Sequence, residues 1–144
     1  MSELYLLDTN VLVQLIRQSS LGQYINQTFE PLMTTPRPLI SIVTEGELRS
    51  LAYQWNWGEF KKNQLDFLCG FFGRYAIDNS EVIEAYAAID AYSESVGRPM
   101  GKNDVWIAAT TYVTGATLLT TDRDFDHLPS HFFHREWIDP YSVP

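Results

Sequence analysis

The pattern of hydrophobic and polar positions alternates between short apolar runs and amphipathic segments. The compact apolar runs predict strands at residues 4–7, 39–43, 74–78, 116–121 and 132–137. Apolar side chains three and four residues apart predict helices at residues 9–18, 44–55, 59–72, 81–96 and 103–115. A loop with three prolines leads into the second strand, and no helix is predicted there. This alternation favours a three-layer α/β/α fold around a mainly parallel sheet of four to five strands.

The composition is that of a single globular domain, residues 1–144, without repeats or linkers. The apolar fraction is 45% and the charged fraction is 19%, as in folded proteins. The apolar runs are too short for a membrane span, which needs about 20 residues. The single cysteine, Cys69, excludes an internal disulfide and is expected in the core, which suits a reducing cytoplasm.

The net charge of −8 is concentrated in the second half of the chain. Residues 1–75 have a net charge of −1, and residues 76–144 have a net charge of −7. Proteins that hold nucleic acid by neutralising its phosphates are usually basic. A nucleic acid would therefore have to bind here through cations or a local basic patch. An acidic excess can be an ordinary solvated surface, or it can serve a site that gathers carboxylates around divalent cations.

Four acidic residues lie at the starts of predicted helices or after predicted strands, and each has an ordinary structural explanation. Asp8 can cap the first helix, and Glu47 with Thr44 has the T-x-x-E spacing of a capping box. Asp104 can offset the dipole of its helix, and Asp122 can support a turn.

The positions of the four acids together point to a shared site. Asp8 and Asp122 directly follow strands, Glu47 lies one helical turn beyond another strand, and Asp104 begins a helix returning to the sheet. Ligands of parallel α/β sheets bind beyond the carboxyl ends of the strands. Carboxylates gathered there would repel one another unless protons or cations intervened, and Mg²⁺ and Mn²⁺ prefer such oxygen ligands.

The segments "LLDTNVLV", "SIVTEGELRSL", "NDVWIAATT" and "LLTTDRDFDHL" resemble, in this order, the signature blocks of PIN-domain ribonucleases. The resemblance is strongest to VapC-type toxins of toxin–antitoxin pairs. It implies a PIN-like fold whose catalytic and metal-binding residues are Asp8, Glu47, Asp104 and Asp122. Glu45 is expected to point elsewhere. Asp124 and Asp126 are interpreted as turn and surface acids, with Asp126 retained as a candidate for a secondary role.

The resemblance also implies an activity and partners. A PIN-type toxin hydrolyses RNA phosphodiester bonds with one or two Mg²⁺ or Mn²⁺ ions, is held inactive by an antitoxin, and often forms a homodimer. Residues adjacent to the acids are expected to orient the carboxylates or a water, and these are Thr9, Asn10, Asn103 and Thr121. The best-placed candidates for phosphate contacts are Lys102 and Arg123.

Two further groups of residues have open roles. In "YQWNWGEF", Trp55 and Trp57 can stack on bases, anchor a protein partner or pack in the core, with core packing expected for at least one of them. His127 and His131 have a spacing that could hold zinc on a helix, but Pro129 lies between them. These two residues and His134 are interpreted as loop and edge residues.

Other functions remain alternatives at this point. A haloacid-dehalogenase-like phosphatase would require a second Asp where Asn10 stands, and a response-regulator receiver would require Lys rather than Arg123. A PIN-like RNA-processing nuclease without an antitoxin, a deoxyribonuclease and a non-catalytic nucleic-acid-binding module stay open. Dependence on a divalent ion separates the enzymes from the non-catalytic module.

Overall fold

A sheet of five parallel strands forms the centre of the molecule in the computed structural model, which describes residues 3–141. The strands are β1 (Tyr5–Leu7), β2 (Leu39–Ser41), β3 (Gly73–Tyr75), β4 (Thr117–Thr120) and β5 (His134–Trp137). Their order across the sheet is β3-β2-β1-β4-β5, and each neighbouring pair is parallel. The predicted parallel sheet is confirmed, including β5 as an edge strand. The ends of the predicted domain, residues 1–2 and 142–144, lie outside the described residues.

Within residues 3–141, six helices cover the two faces of the sheet. They are α1 (Thr9–Arg17), α2 (Ser20–Phe29), α3 (Ile42–Gln54), α4 (Glu59–Phe71), α5 (Ser80–Ser95) and α6 (Lys102–Thr114). Helices α1 to α4 contribute to the apolar cluster on one face, and α5 and α6 contribute to the cluster on the other. The three-layer α/β/α arrangement predicted from the sequence is therefore confirmed.

The two central strands are buried on both sides because their side chains alternate between the two apolar clusters. Leu7 and Leu119 belong to the cluster beneath α1 to α4, and Leu6 and Leu118 belong to the cluster beneath α5 and α6. All four side chains have no exposed surface. A strand with helices on both faces reads as a continuous apolar run, which explains why β1 and β4 are visible in the sequence.

The boundary between β2 and α3 differs from the prediction. The apolar run at residues 39–43 suggested a strand, but the strand ends at Ser41 and the helix begins at Ile42. The Ser41 hydroxyl accepts a hydrogen bond from the Val43 N–H at 3.1 Å and caps α3. The predicted capping box at Thr44 is wrong, because Thr44 already lies inside the helix. β3, β4 and β5 are also shorter than the predicted runs.

Helix α2 was not predicted. Only Leu21 and Ile25 are buried apolar side chains in it, and most of its other positions are polar. The Ser19 hydroxyl accepts a hydrogen bond from the Gly22 N–H at 3.0 Å and caps the helix. Gly22 allows close packing on α1, since a Cβ atom there would lie 2.2 Å from the Gln14 carbonyl oxygen.

Replacing Gly22 with alanine is expected to lower the free energy of unfolding by about 1–3 kcal/mol, because α2 must move away from α1. Gly70→Ala is the matched control, since Gly70 is exposed near the end of α4 and a Cβ there meets nothing within 4 Å. The control should be unchanged or more stable by up to about 1 kcal/mol. Urea unfolding of both variants measures the difference. Equal stabilities would contradict the close contact between α1 and α2.

Several individual predictions for the core are also settled. Cys69 is 2% exposed and Trp57 is 4% exposed, so both pack in the interior, whereas Trp55 is 46% exposed. None of the helices within residues 3–141 has the length and apolar character required to cross a bilayer.

Candidate active site

An acid-lined cleft of about 690 Å³ opens at the carboxyl ends of the central strands. Parallel strands place all their carboxyl ends at one edge, so residues far apart in sequence meet there. The four predicted acids all line this cleft, and they are Asp8, Glu47, Asp104 and Asp122. Thr9, Asn10 and Asn103 line it as well.

Asp8 follows β1 directly and is 3% exposed. Its Oδ1 accepts a hydrogen bond from the Thr9 N–H at 2.8 Å, and its Oδ2 accepts one from the Thr120 hydroxyl at 2.7 Å. The side chain therefore caps α1, as its ordinary structural explanation required, while it also faces the cleft. Both oxygens are held, so the carboxylate has a fixed orientation.

Thr120, at the end of β4, connects two of the acids. Its hydroxyl donates to Asp8 and accepts from the Asp122 N–H at 2.9 Å. The sequence predicts this role for Thr121 instead. In the structure, the Thr121 backbone carbonyl accepts a hydrogen bond from the Trp137 indole N–H at 3.2 Å. The supporting hydroxyl lies one residue earlier because β4 ends at Thr120 and Thr121 already lies in the bend that follows.

Glu47 lies on α3 and reaches across the cleft to two other helices. Its Oε1 accepts a hydrogen bond from the Thr9 hydroxyl at 2.6 Å, and its Oε2 accepts one from the Asn103 amide at 3.1 Å. The capping-box explanation for Glu47 is therefore wrong. Glu45 points away from the cleft, as expected, and its carboxylate pairs with Arg49 and Arg74 at 2.9 and 2.8 Å.

A trio of carboxylates lies at the edge of the cleft, where Asp104 and Asp122 line it and Asp124 lines the neighbouring cleft. One oxygen each of Asp104, Asp122 and Asp124 lies within 4.8 Å of the others. Asp124 is an exposed turn residue, as expected, and its N–H donates to Asp122 Oδ1 at 3.4 Å. Its place in the trio was missed, although the D-x-D spacing of "DRD" contained the signal.

The two predicted phosphate contacts do not line the acidic cleft. The Lys102 ammonium pairs with Asp90 at 3.2 Å. The Arg123 guanidinium pairs with Asp126 at 3.1 Å and lies over the Trp137 ring, 3.9 Å from its centroid. Both side chains are thus engaged by neighbouring residues.

The histidines lie outside the carboxylate trio. His127 Nε2 and the Ser93 hydroxyl form a 2.8 Å hydrogen bond, and burial lowers the pKa of His127. Among the described residues, the side chains placed to share a metal ion include no histidine.

The family of the chain follows from a comparison with sequence-family models. The PIN domain model matches residues 5–130, which is most of the chain. The chain belongs to the PIN domain family. No curated protein sequence matches the chain.

Solved structures share the PIN fold at low sequence identity. One match is a chain of VapBC2 from Rickettsia felis, in a structure bound to a DNA fragment from the VapBC2 promoter. The TM-score is 0.77 and the identity 23%, and the match covers 92% of this chain and 97% of that chain. VapBC-1 from nontypeable Haemophilus influenzae matches with a TM-score of 0.71 and 21% identity over 93% and 97% of the two chains. VapBC-5 from Mycobacterium tuberculosis, a member of the VapBC family of toxin-antitoxin systems, matches with a TM-score of 0.69 and 19% identity. The match covers 92% of this chain and 97% of that chain.

Three acids of the cleft in this PIN domain, Asp8, Asp104 and Asp122, retain their protons more strongly than free carboxylic acids do. Burial raises the pKa of Asp8 from 3.8 to about 6, and the charges of Asp122 and Glu47 add to the increase. Burial and the charges of Asp8 and Asp122 raise the pKa of Asp104 to about 7. The pKa of Asp122 is also raised, first by burial and then by Asp124. The cleft therefore favours binding of positive charge.

The donor set of the cleft fits a hard divalent cation. Carboxylate oxygens are preferred ligands of Mg²⁺ and Mn²⁺. Oxygens on opposite sides of one Mg²⁺ lie about 4.2 Å apart, since each bond is about 2.1 Å long. This is the largest separation that two oxygens on one ion can have, and the oxygens of Asp104, Asp122 and Asp124 are within 4.8 Å of one another, so small side-chain movements let all three contact one ion.

Proposed function

We propose that this PIN domain is a divalent-metal-dependent endoribonuclease that acts in the cytoplasm as the toxin of a toxin–antitoxin pair. The observation that carries the proposal is the convergence of Asp8, Glu47, Asp104 and Asp122 in one cleft. The raised pKa values of Asp8 and Asp104 match a site that is completed by cations. RNA rather than DNA is proposed because of the family resemblance.

One or two Mg²⁺ or Mn²⁺ ions, when bound, supply positive charge for the substrate phosphate and lower the pKa of the attacking water. Asp104, Asp122 and Asp124 are the residues proposed to hold one ion, and Asp8 contributes from the buried side of the cleft.

The protein's own polar groups fix the geometry of these ligands. Thr120 fixes the positions of Asp8 and Asp122 relative to each other, because its hydroxyl forms hydrogen bonds with both residues. Thr9 and Asn103 orient Glu47 in the same way. Such supporting contacts reduce the reorganisation needed when a cation and a phosphate enter.

The proposed partners are an antitoxin and a second copy of the chain. The antitoxin is supported by the similarity in fold to chains from VapBC structures of several bacteria. The homodimer is proposed from the family resemblance alone.

Purified protein is expected to cleave a labelled RNA only when Mg²⁺ or Mn²⁺ is present, and to leave the DNA of the same sequence intact. Calorimetry should detect Mn²⁺ binding in the absence of RNA. Asp124→Asn should weaken that binding about tenfold or more, because it removes a charged ligand from the trio.

Asp126→Asn is the matched control, since this carboxylate belongs to the same loop but pairs with Arg123. Its Mn²⁺ affinity should stay within about twofold of the wild type. Cleavage that persists after chelation of divalent ions would contradict the proposed chemistry. Cleavage of DNA alone would overturn the substrate assignment.

A further inference from the structure

The segment "YQWNWGEF" contains two tryptophans whose environments differ. Trp57 is 4% exposed and belongs to the apolar core, whereas Trp55 at the end of α3 is 46% exposed. The two rings lie 6.0 Å apart between centroids at an angle of 56°. Trp57 therefore holds one side of Trp55 in place, and the exposed part of the Trp55 ring is available to a ligand.

Trp55 lies at the far end of the same helical surface that carries the catalytic glutamate. The cleft is lined along α3 by Glu47, Ser50, Leu51 and Gln54. These residues share a stripe with Trp55, which is one turn after Leu51 and two turns after Glu47. Eight residues of helix span about 12 Å.

Helix α1 runs beside α3 in the same direction and ends in a cation. The Thr9 hydroxyl at its start contacts Glu47, and Arg17 at its end lies over Trp55, with 4.8 Å from the guanidinium carbon to the ring centroid. Within residues 3–141, Arg17 pairs with no carboxylate. The cleft extends from the carboxylates along neutral polar side chains to Gln54, and the exposed pair of Trp55 and Arg17 lies directly beyond this end of its lining.

This arrangement suits a single nucleic-acid strand. Bases stack on aromatic rings and on guanidinium planes, and an arginine free of carboxylates can contact a phosphate. About 12 Å corresponds to about three or four stacked nucleotides at roughly 3.4 Å each. Ser50 and Gln54 lie between the carboxylates and Trp55, and they can form hydrogen bonds with a nucleic-acid strand without repelling its phosphates.

Building on the proposed nuclease function, we infer that Trp55 and Arg17 form a subsite for single-stranded RNA, where a base a few nucleotides from the scissile phosphate stacks on the Trp55–Arg17 pair. The subsite contributes to the affinity for longer RNA and takes no part in bond cleavage.

The test measures binding of RNA in the Asp8→Asn background, which keeps the probe intact. The probe is a fluorescein-labelled RNA decanucleotide of mixed sequence with Mg²⁺ present, followed by anisotropy, and an unlabelled dinucleotide serves as a short competitor. Trp55→Ala should weaken decanucleotide binding about tenfold, whereas the dinucleotide should bind as before because it does not reach Trp55. Trp55→Phe should restore most of the affinity.

Arg17→Gln should reduce the slope of log affinity against log salt by about 0.7, the value for one phosphate contact with a single strand. Tyr53→Ala is the matched control for Trp55→Ala. Tyr53 is 89% exposed at the same end of α3 but lines a different cleft with Arg49, so its loss should leave RNA affinity unchanged.

The outcomes separate this inference from the proposed function. If the wild type cleaves RNA but Trp55→Ala binds the decanucleotide normally, the subsite is absent while the nuclease assignment stands. A loss of affinity that is equal for both probes also overturns the subsite, since it indicates a general defect. If the wild type neither binds nor cleaves RNA, both proposals fail. If Trp55→Ala weakens only a contact with another protein, Trp55 is a protein anchor and the inference is wrong.

Discussion

Replacing Asp8 with asparagine is expected to reduce RNA cleavage by about 10²-fold or more and to leave the fold intact. The substitution removes the charge that faces the cations and changes little in size. An asparagine oxygen can still accept the hydrogen bond from the Thr9 N–H, so the cap of α1 is retained. The initial rate of cleavage of a labelled RNA with Mg²⁺ measures the effect, and growth after induced expression measures it in cells.

The control for this variant is Asp66→Asn. Asp66 is an exposed carboxylate on α4 that pairs with Arg49 away from the acidic cleft. Its removal should leave cleavage and growth arrest unchanged. Wild-type cleavage by Asp8→Asn would mean that the buried carboxylate takes no part in the chemistry, and the assignment of a PIN nuclease site would be lost.

The loss of the Asp8 proton is expected to make the metal-free protein less stable as the pH rises from about 4 to about 6. The folded state raises the pKa of Asp8 from 3.8 to about 6, so it binds more protons than the unfolded state in this interval. The contribution of Asp8 to the free energy of unfolding therefore decreases with increasing pH and becomes constant above about pH 6. The change in pKa corresponds to about 3 kcal/mol for this buried group. Asp104 extends the decrease towards pH 7.

The measurement compares wild type and Asp8→Asn by urea unfolding with chelator at several pH values. The variant should gain stability relative to the wild type by about 3 kcal/mol between pH 4 and pH 7, since it has no proton to lose. With saturating Mn²⁺, the wild type should become the more stable of the two proteins, because the ion stabilises its folded state. A difference that stays constant across this range would show that burial does not penalise the charge of Asp8.

The strands and three of the site acids could be predicted because their signals are local. A strand covered on both faces is a continuous apolar run, so β1 and β4 stand out; Asp8 follows β1 directly and Asp122 lies two residues after β4. Asp104 lies in the first turn of a helix with a clear apolar pattern and a terminal glycine. The convergence of these residues then follows from the parallel topology.

Other features depend on contacts that a sequence does not display. Ile42 and Val43 continue an apolar run, and only the Ser41 cap shows that the chain has already entered a helix. Thr120 and Thr121 are identical in type, and only the position at which β4 ends decides which hydroxyl meets Asp8. Asp124 was interpreted as a surface residue because its proximity to Asp104 depends on the path of the loop.

Glu47 is a point at which the layers on opposite sides of the sheet are tied together. Its two oxygens connect α1 and α3 on one side with α6 on the other. A cation can coordinate one of these oxygens while the bond to Thr9 or Asn103 stays in place, because each carboxylate oxygen has two acceptor sites. A ligand that contacts Glu47 therefore bears on both outer layers at once, because residues from α1 and α6 hold this side chain in place.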